Sequence, residues 1–337
     1  MQSPLMPKPF KVFVADFITE PLEIERKILG EMADVVALGA NSEADFGDRL
    51  QQADAIMMYH FVSLGRKTIE QLERCKLIVR CGAGFDNVDY AFARERGIPV
   101  ANVPDYGTED VADTAIGLVL SLARGTHLYN QLCQRGTDSW TYTLASPLHR
   151  IRGRVFGVIG VGRIGTATAL RAKSFGYDVV FYDPYVTDGR DKSLGIRRAE
   201  TIEELLGQSN VISCNCPLTS ETKHIINVDT IELLPQGSIL VNTARGGVVD
   251  PLAVLKGLES GILAGAAIDV LEQEPPAANH PLVRAWRDPK HPAHDRLILT
   301  PHAAFYSEEG LLDMRIKGSQ NCLRALSGAT LRNVVNA

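Results

Sequence analysis

Short apolar runs rich in Val and Ile recur along the chain, separated by longer amphipathic stretches. In the first third they are KVFVAD (11–16), ADVVALG (33–39), AIMMYH (55–60), KLIVRCG (76–82) and PVANV (99–103). Between them the spacing predicts helices around 21–32, 43–53, 66–74 and 88–96. Strands that alternate with helices at this interval indicate βαβ units around a parallel sheet. A long helix opens near Thr108, where Glu109 and Asp110 complement the positive end of the helix dipole. Its apolar face runs through Val111, Ala115, Leu118 and Leu122 and continues past Arg124 toward Leu132. A second series follows: RVFGVIG (154–160), DVVFYD (178–183), VISCNC (211–216), SILVNTA (238–244), GAAIDVL (265–271) and LILTPH (297–302). The segment 272–296, rich in Pro, His and Ala, reads as a loop, and a last helix spans Glu308 to about Leu326.

At about 150 residues per domain, 337 residues suggest two domains. The formal charge of −5 gives no electrostatic reason to bind nucleic acid or an anionic membrane, both of which need clustered Lys and Arg. No apolar run approaches the ~20 residues of a membrane span. The six cysteines form no CxxC, and the N-terminus lacks the charged head and apolar core of a signal peptide, so a cytoplasmic protein is expected. His127, His149, His224, His280, His291 and His294 form no ligand-spaced set, and no metal is expected.

The second series opens on Gly160-Val161-Gly162-Arg163-Ile164-Gly165, directly after a strand and directly before a helix pattern. In that context GxGxxG is a dinucleotide fingerprint. Gly160 permits the tight turn, Gly162 lets a pyrophosphate approach the backbone, and Gly165 lets the helix pack on the strand. Asp183 ends the next strand, where a carboxylate would bond the adenosine ribose and repel a 2′-phosphate; NAD is therefore expected over NADP, although Arg190 lies a little further on. Thr108, at the start of the long helix, could donate to the cofactor phosphates.

Later segments are more specific: NTARGGVVD (242–250), DVLEQEP (269–275), TPHAA (300–304) and CGAGFDNVD (81–89). Together with the fingerprint they resemble the D-isomer-specific 2-hydroxyacid dehydrogenase family. The stretches RCGAGFDNVD, ALRAKSFGYDVVFYDPY, LVNTARGGVVD and TPHAAFYSEE are most similar to its C-terminal-binding-protein corepressor branch, with Phe305 where that branch carries Trp. The resemblance implies an α/β fold in which a Rossmann NAD-binding domain (105–304) is inserted into a smaller flavodoxin-like substrate domain (1–104 plus 305–337). It implies a homodimer acting on a small 2-keto or 2-hydroxy acid. Arg245 would anchor the substrate, His302 would be the acid/base, and Glu274 would hold His302 by a hydrogen bond. Cys216, Pro217, Thr243, Ala244, Arg245, Asp269 and His302 would contact the cofactor. His60, Phe305 and the backbone N–H groups of Gly82, Ala83 and Gly84 would join Arg245 on the substrate side. An NAD(H)-sensing scaffold that binds protein partners with little turnover is the alternative; the paired Glu and His favour the enzyme.

Overall fold

The computed structural model describes residues 9–136, 140–145 and 147–337. They form two compact units: the described residues up to Gly107 with Ser307–Ala337, and Thr108–Tyr306.

The first unit is built on five parallel strands, β1 (Phe10–Val14), β2 (Ala33–Ala37), β3 (Ala55–Met58), β4 (Ile78–Arg80) and β5 (Val100–Asn102). They lie in the order β2-β1-β3-β4-β5, the flavodoxin-like arrangement, with Val12 opposite Val35 and Ala55. Every residue of β3 is buried, as a strand covered on both faces requires. The C-terminal helix Glu308–Ser327 packs on this sheet. It comes so close at Gly318 that a Cβ there would stand 2.7 Å from Cys81 Sγ. Ser307 caps the helix by accepting from Gly310 N at 2.9 Å. Beyond it the chain returns along the sheet edge, where Asn336 Oδ1 accepts from Val100 N at 2.7 Å.

Arg315 of this helix donates twice to the fully buried Glu25 carboxylate, at 2.7 Å each. Removing one partner of such a pair leaves an uncompensated buried charge. Glu25→Met is therefore expected to cost about 3–5 kcal/mol in urea unfolding, and Glu25→Met/Arg315→Met to recover most of it. Equal losses in the single and double variants would contradict this reading.

The second unit carries seven parallel strands: β6 (Val155–Ile159), β7 (Asp178–Tyr182), β8 (Arg197–Arg198), β9 (Val211–Cys214), β10 (Ser238–Asn242), β11 (Leu263–Ile268) and β12 (Leu297–Leu299). Their order is β12-β11-β10-β9-β6-β7-β8, the doubly wound Rossmann pattern. The chain leaves β6 toward β7 on one side and reaches β9 on the other, so the winding reverses beside β6. Ligands of such sheets bind outside the carboxyl ends of the strands at that reversal.

The elements depart from the sequence pattern in four places. The long helix does not run on toward Leu132: it stops at Arg124, Gly125 adopts a left-handed φ of 65°, and a separate helix covers Thr126–Arg135. Its apolar residues, including Val111, Ala115, Val119 and Leu122, are spent within the unit, against helix Arg163–Ser174 and strands β10 and β11. The segment 43–53 is 3-10 helix, Glu43–Gln52, broken at Gly47. The segment 272–296 is not simply a loop: Pro281 opens a short helix to Arg287 that buries Leu282, Val283 and Ala285, and another covers Ala293–Arg296. Strand β8 is two arginines long, too short to leave a periodic signal. No helix among the described residues is long and apolar enough to cross a membrane.

Candidate active site

The glycine loop follows β6. Gly160 has a left-handed φ of 85°, and a Cβ on Gly165 would lie 1.9 Å from Gly160 O, so the helix start is pressed onto the strand end. By contrast nothing lies within 4 Å of a Cβ built on Gly162, which caps the 12-residue helix Arg163–Ser174. Two glycines thus serve the fold and the third faces open space at a helix N-terminus, the setting that accepts a phosphate. Arg163 is exposed and Ile164 half-buried in the first turn. Gly165→Ala is expected to lower dinucleotide affinity and melting temperature together, because the methyl group meets backbone; unchanged NADH titration and thermal melts would contradict the packing.

Asp183, directly after β7, accepts from Val161 N at 2.9 Å and from Tyr185 N at 3.0 Å. Its carboxylate is thereby fixed beside the glycine loop, and an ionised carboxylate retains further acceptor capacity. Arg190 reaches the same loop, donating to Thr166 Oγ1 at 2.8 Å and to Val161 O at 3.4 Å. Cys216 and Pro217 follow β9; burial pushes the Cys216 thiol up to about 12, so it stays protonated. Pro217 is exposed, and its carbonyl accepts from Thr222 Oγ1 at 2.6 Å. Thr108 begins helix Thr108–Arg124.

Three neighbouring strands, β10, β11 and β12, carry the remaining groups at their carboxyl ends. Asn242, fully buried at the end of β10, donates to Arg245 O at 2.9 Å and accepts from Ala244 N at 3.0 Å. This side chain shapes the Thr243–Arg245 turn and was not among the residues singled out from sequence. Its polar type at the last position of an otherwise apolar strand is the signal that could have found it. Arg245 Nη1 donates to Ala244 O at 2.8 Å. Thr243 Oγ1 is buried with no hydrogen-bond partner, as is Asn215 Oδ1 beside the glycine loop. Such atoms are costly to leave unsatisfied, and a polar ligand would satisfy them.

Asp269, 2% exposed, is the hub of the next turn. Its carboxylate accepts from Thr300 Oγ1 at 2.5 Å, Ala303 N at 2.9 Å and Ala304 N at 3.0 Å, and its carbonyl accepts from His302 N at 2.8 Å. These bonds hold His302 at φ 54°, a left-handed conformation that persists in a non-glycine residue only where its surroundings impose it. His302 Nδ1 lies 2.6 Å from Glu274 Oε2, while Glu274 Oε1 accepts from Leu271 N at 2.8 Å. A carboxylate only accepts, so Nδ1 carries the proton in this bond. The buried Phe305 ring stands edge-on to His302, with ring centres 6.2 Å apart.

In the first unit, His60 packs tilted against Phe17 and edge-on to Phe61, ring centres 4.9 and 4.5 Å away. Its loop is anchored by buried Asp16, which accepts from Tyr59 N at 2.6 Å and Phe61 N at 2.7 Å. Burial raises the Asp16 pKa and those N–H groups pull it down. The expected amide cradle is smaller than three groups. Gly82 N donates to Arg80 O at 2.9 Å, so this amide is engaged within its own loop; among the described residues, no backbone acceptor faces Ala83 N or Gly84 N. Arg80 was missed from sequence: it is 7% exposed, and a Cβ on Gly82 would lie 1.6 Å from its Nη1. Among the described residues, no group of three or more His, Cys, Asp or Glu could hold a metal ion.

A doubly wound sheet with a phosphate-accepting glycine loop at its winding reversal defines a dinucleotide-binding protein. The chain belongs to the D-isomer-specific 2-hydroxyacid dehydrogenase family, whose NAD-binding domain model matches residues 116–304. It is 34% identical over 313 residues to C-terminal-binding protein 1 of Caenorhabditis elegans, covering 90% of this chain and 42% of that protein. It is 35% identical over 321 residues to D-3-phosphoglycerate dehydrogenase of Methanocaldococcus jannaschii, covering 95% and 59%. The chain thus spans about half the length of these curated relatives. Its fold is similar to that of D-lactate dehydrogenase from Aquifex aeolicus complexed with NAD and lactic acid, with a TM-score of 0.83 and 26% identity over 97% of this chain and 99% of that one.

Proposed function

We propose that the protein is an NAD-dependent oxidoreductase that interconverts a D-2-hydroxy acid and its 2-keto acid. The observation that carries this reading is the His302–Glu274 bond at 2.6 Å, on a strand end of a dinucleotide-binding sheet. A cofactor domain that only sensed NAD(H) would have no chemical need for an imidazole with its tautomer fixed.

The cofactor fits the second unit. The open face of Gly162 and the helix start at Arg163 and Ile164 would take its pyrophosphate, with Thr108 as a further donor. Asp183 would hold the adenosine ribose, beside Pro217 and Cys216, and favours NAD over NADP. Thr243, Ala244, Arg245, Asp269 and His302 would border the nicotinamide side, where Thr243 Oγ1 is unsatisfied. When bound, the cofactor supplies or accepts the hydride at substrate C2.

The chain's own residues do the rest. Arg245 presents a permanently charged fork to the substrate carboxylate and C2 oxygen. His302 Nε2 gives a proton to that oxygen during reduction and removes it during oxidation. Glu274 keeps the ring oriented. In the first unit, Ala83 N, Gly84 N and Arg80 are proposed as further carboxylate-side groups, and His60 with its aromatic neighbours as a wall for the substrate side chain. Phe305 has the same role in the second unit. These aromatic groups support an apolar substrate side chain over a phosphorylated one. Free thiols, five of six buried, fit a reducing compartment and support placement in the cytoplasm.

The test is NADH consumption followed by absorbance across a panel of 2-keto acids, repeated with NADPH. Turnover of an apolar 2-keto acid with NADH is expected. Preference for a phosphorylated keto acid would overturn the substrate reading, and preference for NADPH would overturn the role given to Asp183. Similarity to a C-terminal-binding protein supports a second reading, an NAD(H)-sensing scaffold. It predicts dinucleotide binding without turnover of any member of the panel.

A further inference from the structure

A second histidine–carboxylate pair stands two residues along the chain from Glu274. His224 Nε2 lies 2.7 Å from Glu272 Oε1, both side chains being partly exposed. His224 has a left-handed φ of 51° and, like His302, is held there by its surroundings. Its N–H donates to Gly247 O at 2.8 Å, and its carbonyl accepts from Asn227 Nδ2 at 3.0 Å. Two residues on, Ile226 bridges Val249 and its carbonyl accepts from Asp250 N at 2.8 Å. His224 is therefore fixed to the segment that follows Arg245.

The Leu271–Glu274 segment passes directly over that same turn. A Cβ on Gly246 would meet Leu271 C at 2.0 Å and Glu272 N at 2.3 Å. From there Leu271 N reaches Glu274 Oε1 at 2.8 Å, and Glu274 Oε2 reaches His302 Nδ1 at 2.6 Å. A continuous chain of bonds thus runs from the anchored His224 through Glu272 to the residue that orients His302.

We infer that His224 and Glu272 form a positioning pair that holds the Leu271–Glu274 segment, and with it the Glu274 carboxylate, in register with His302. The inference rests on the proposed role of His302. An exposed pair contributes little to global stability, so its effect falls on placement. Neither residue touches the reacting atoms in this account.

The test compares His224→Ala and His224→Gln with wild type. Five quantities are read: kcat and KM for the best 2-keto acid, NADH affinity by fluorescence, the thermal midpoint, and the downfield NMR resonance of the His302 Nδ1 proton. That resonance is assigned by its absence in His302→Asn. His224→Ala is expected to lower kcat by roughly ten- to a hundredfold, the scale on which small misplacements act. KM, NADH affinity and the midpoint stay near wild type, and the Nδ1 resonance broadens or disappears. His224→Gln restores most of kcat and the resonance, since its amide can still donate to Glu272. An unchanged kcat and resonance in His224→Ala, or a kcat loss matched by losses of NADH affinity and midpoint, would overturn the inference. If wild type turns over no 2-keto acid, the proposed function fails, and the resonance alone still decides whether the pair positions Glu274.

Discussion

Replacing His302 with asparagine is expected to lower kcat by about two to four orders of magnitude, the usual contribution of a positioned proton donor. Asparagine keeps a hydrogen-bonding side chain and readily adopts the left-handed backbone found at this position, φ 54°. The turn held by Asp269 therefore survives, and the loss belongs to the proton transfer. NADH affinity is expected to fall far less than kcat, since His302 is one of several residues on the nicotinamide side, and the thermal midpoint to stay close to wild type. Since Nδ1 is committed to Glu274 at 2.6 Å, Nε2 is the atom whose removal matters. Glu274→Gln supplies a graded comparison. The amide can still accept from Nδ1–H, yet it no longer holds the ring with a charge, so kcat falls by less than in His302→Asn. Turnover by His302→Asn within a few fold of wild type would remove the histidine from the chemistry.

The second large effect is at Arg245. Loss of a bidentate, charge-assisted contact to a carboxylate costs about 2–5 kcal/mol where the partner is desolvated. Arg245→Ala is thus expected to lower kcat/KM for the keto acid by about a hundredfold or more. Arg245→Lys separates anchoring from simple charge. Lysine keeps the charge but offers a point donor in place of a planar fork, so it rescues only a small part of the loss. Full rescue by lysine would reduce Arg245 to an electrostatic bystander. The bond from Arg245 Nη1 to Ala244 O ties the guanidinium to its own turn, so Asn242→Ala, which releases that turn, is expected to move the same parameter in the same direction.

Much of this architecture was legible before any coordinates. Parallel strands buried on both faces leave short apolar runs, and eleven such runs coincide with strands of the two sheets. The break at Gly125 was hidden because apolar spacing continues across it, while a left-handed glycine resets the helix direction. Strand β8 was hidden because two arginines pair with Val180 and Phe181 through backbone alone.

The site followed the same division. The family resemblance pointed to Arg245, Glu274 and His302; His302 and Glu274 are 28 residues apart, and nothing in their spacing alone required contact. Asn242 and Arg80 act within their own loops, through side-chain bonds to backbone and close packing that residue type alone does not announce. His224 pairs with Glu272, 48 residues away, a contact that appears only when the two segments are brought together. Asp269, which the resemblance sets on the nicotinamide side, also has its carboxylate engaged three times by the turn that carries His302.

The central claim is direct hydride transfer to C2 with a D outcome. The measurement that tests it most directly is reduction of an accepted 2-keto acid with NADH deuterated at the transferred C4 position, followed by chiral analysis and mass spectrometry of the product. The account predicts one deuterium on C2 of a D-2-hydroxy acid. A product with no deuterium at C2, or one of L configuration, would contradict it.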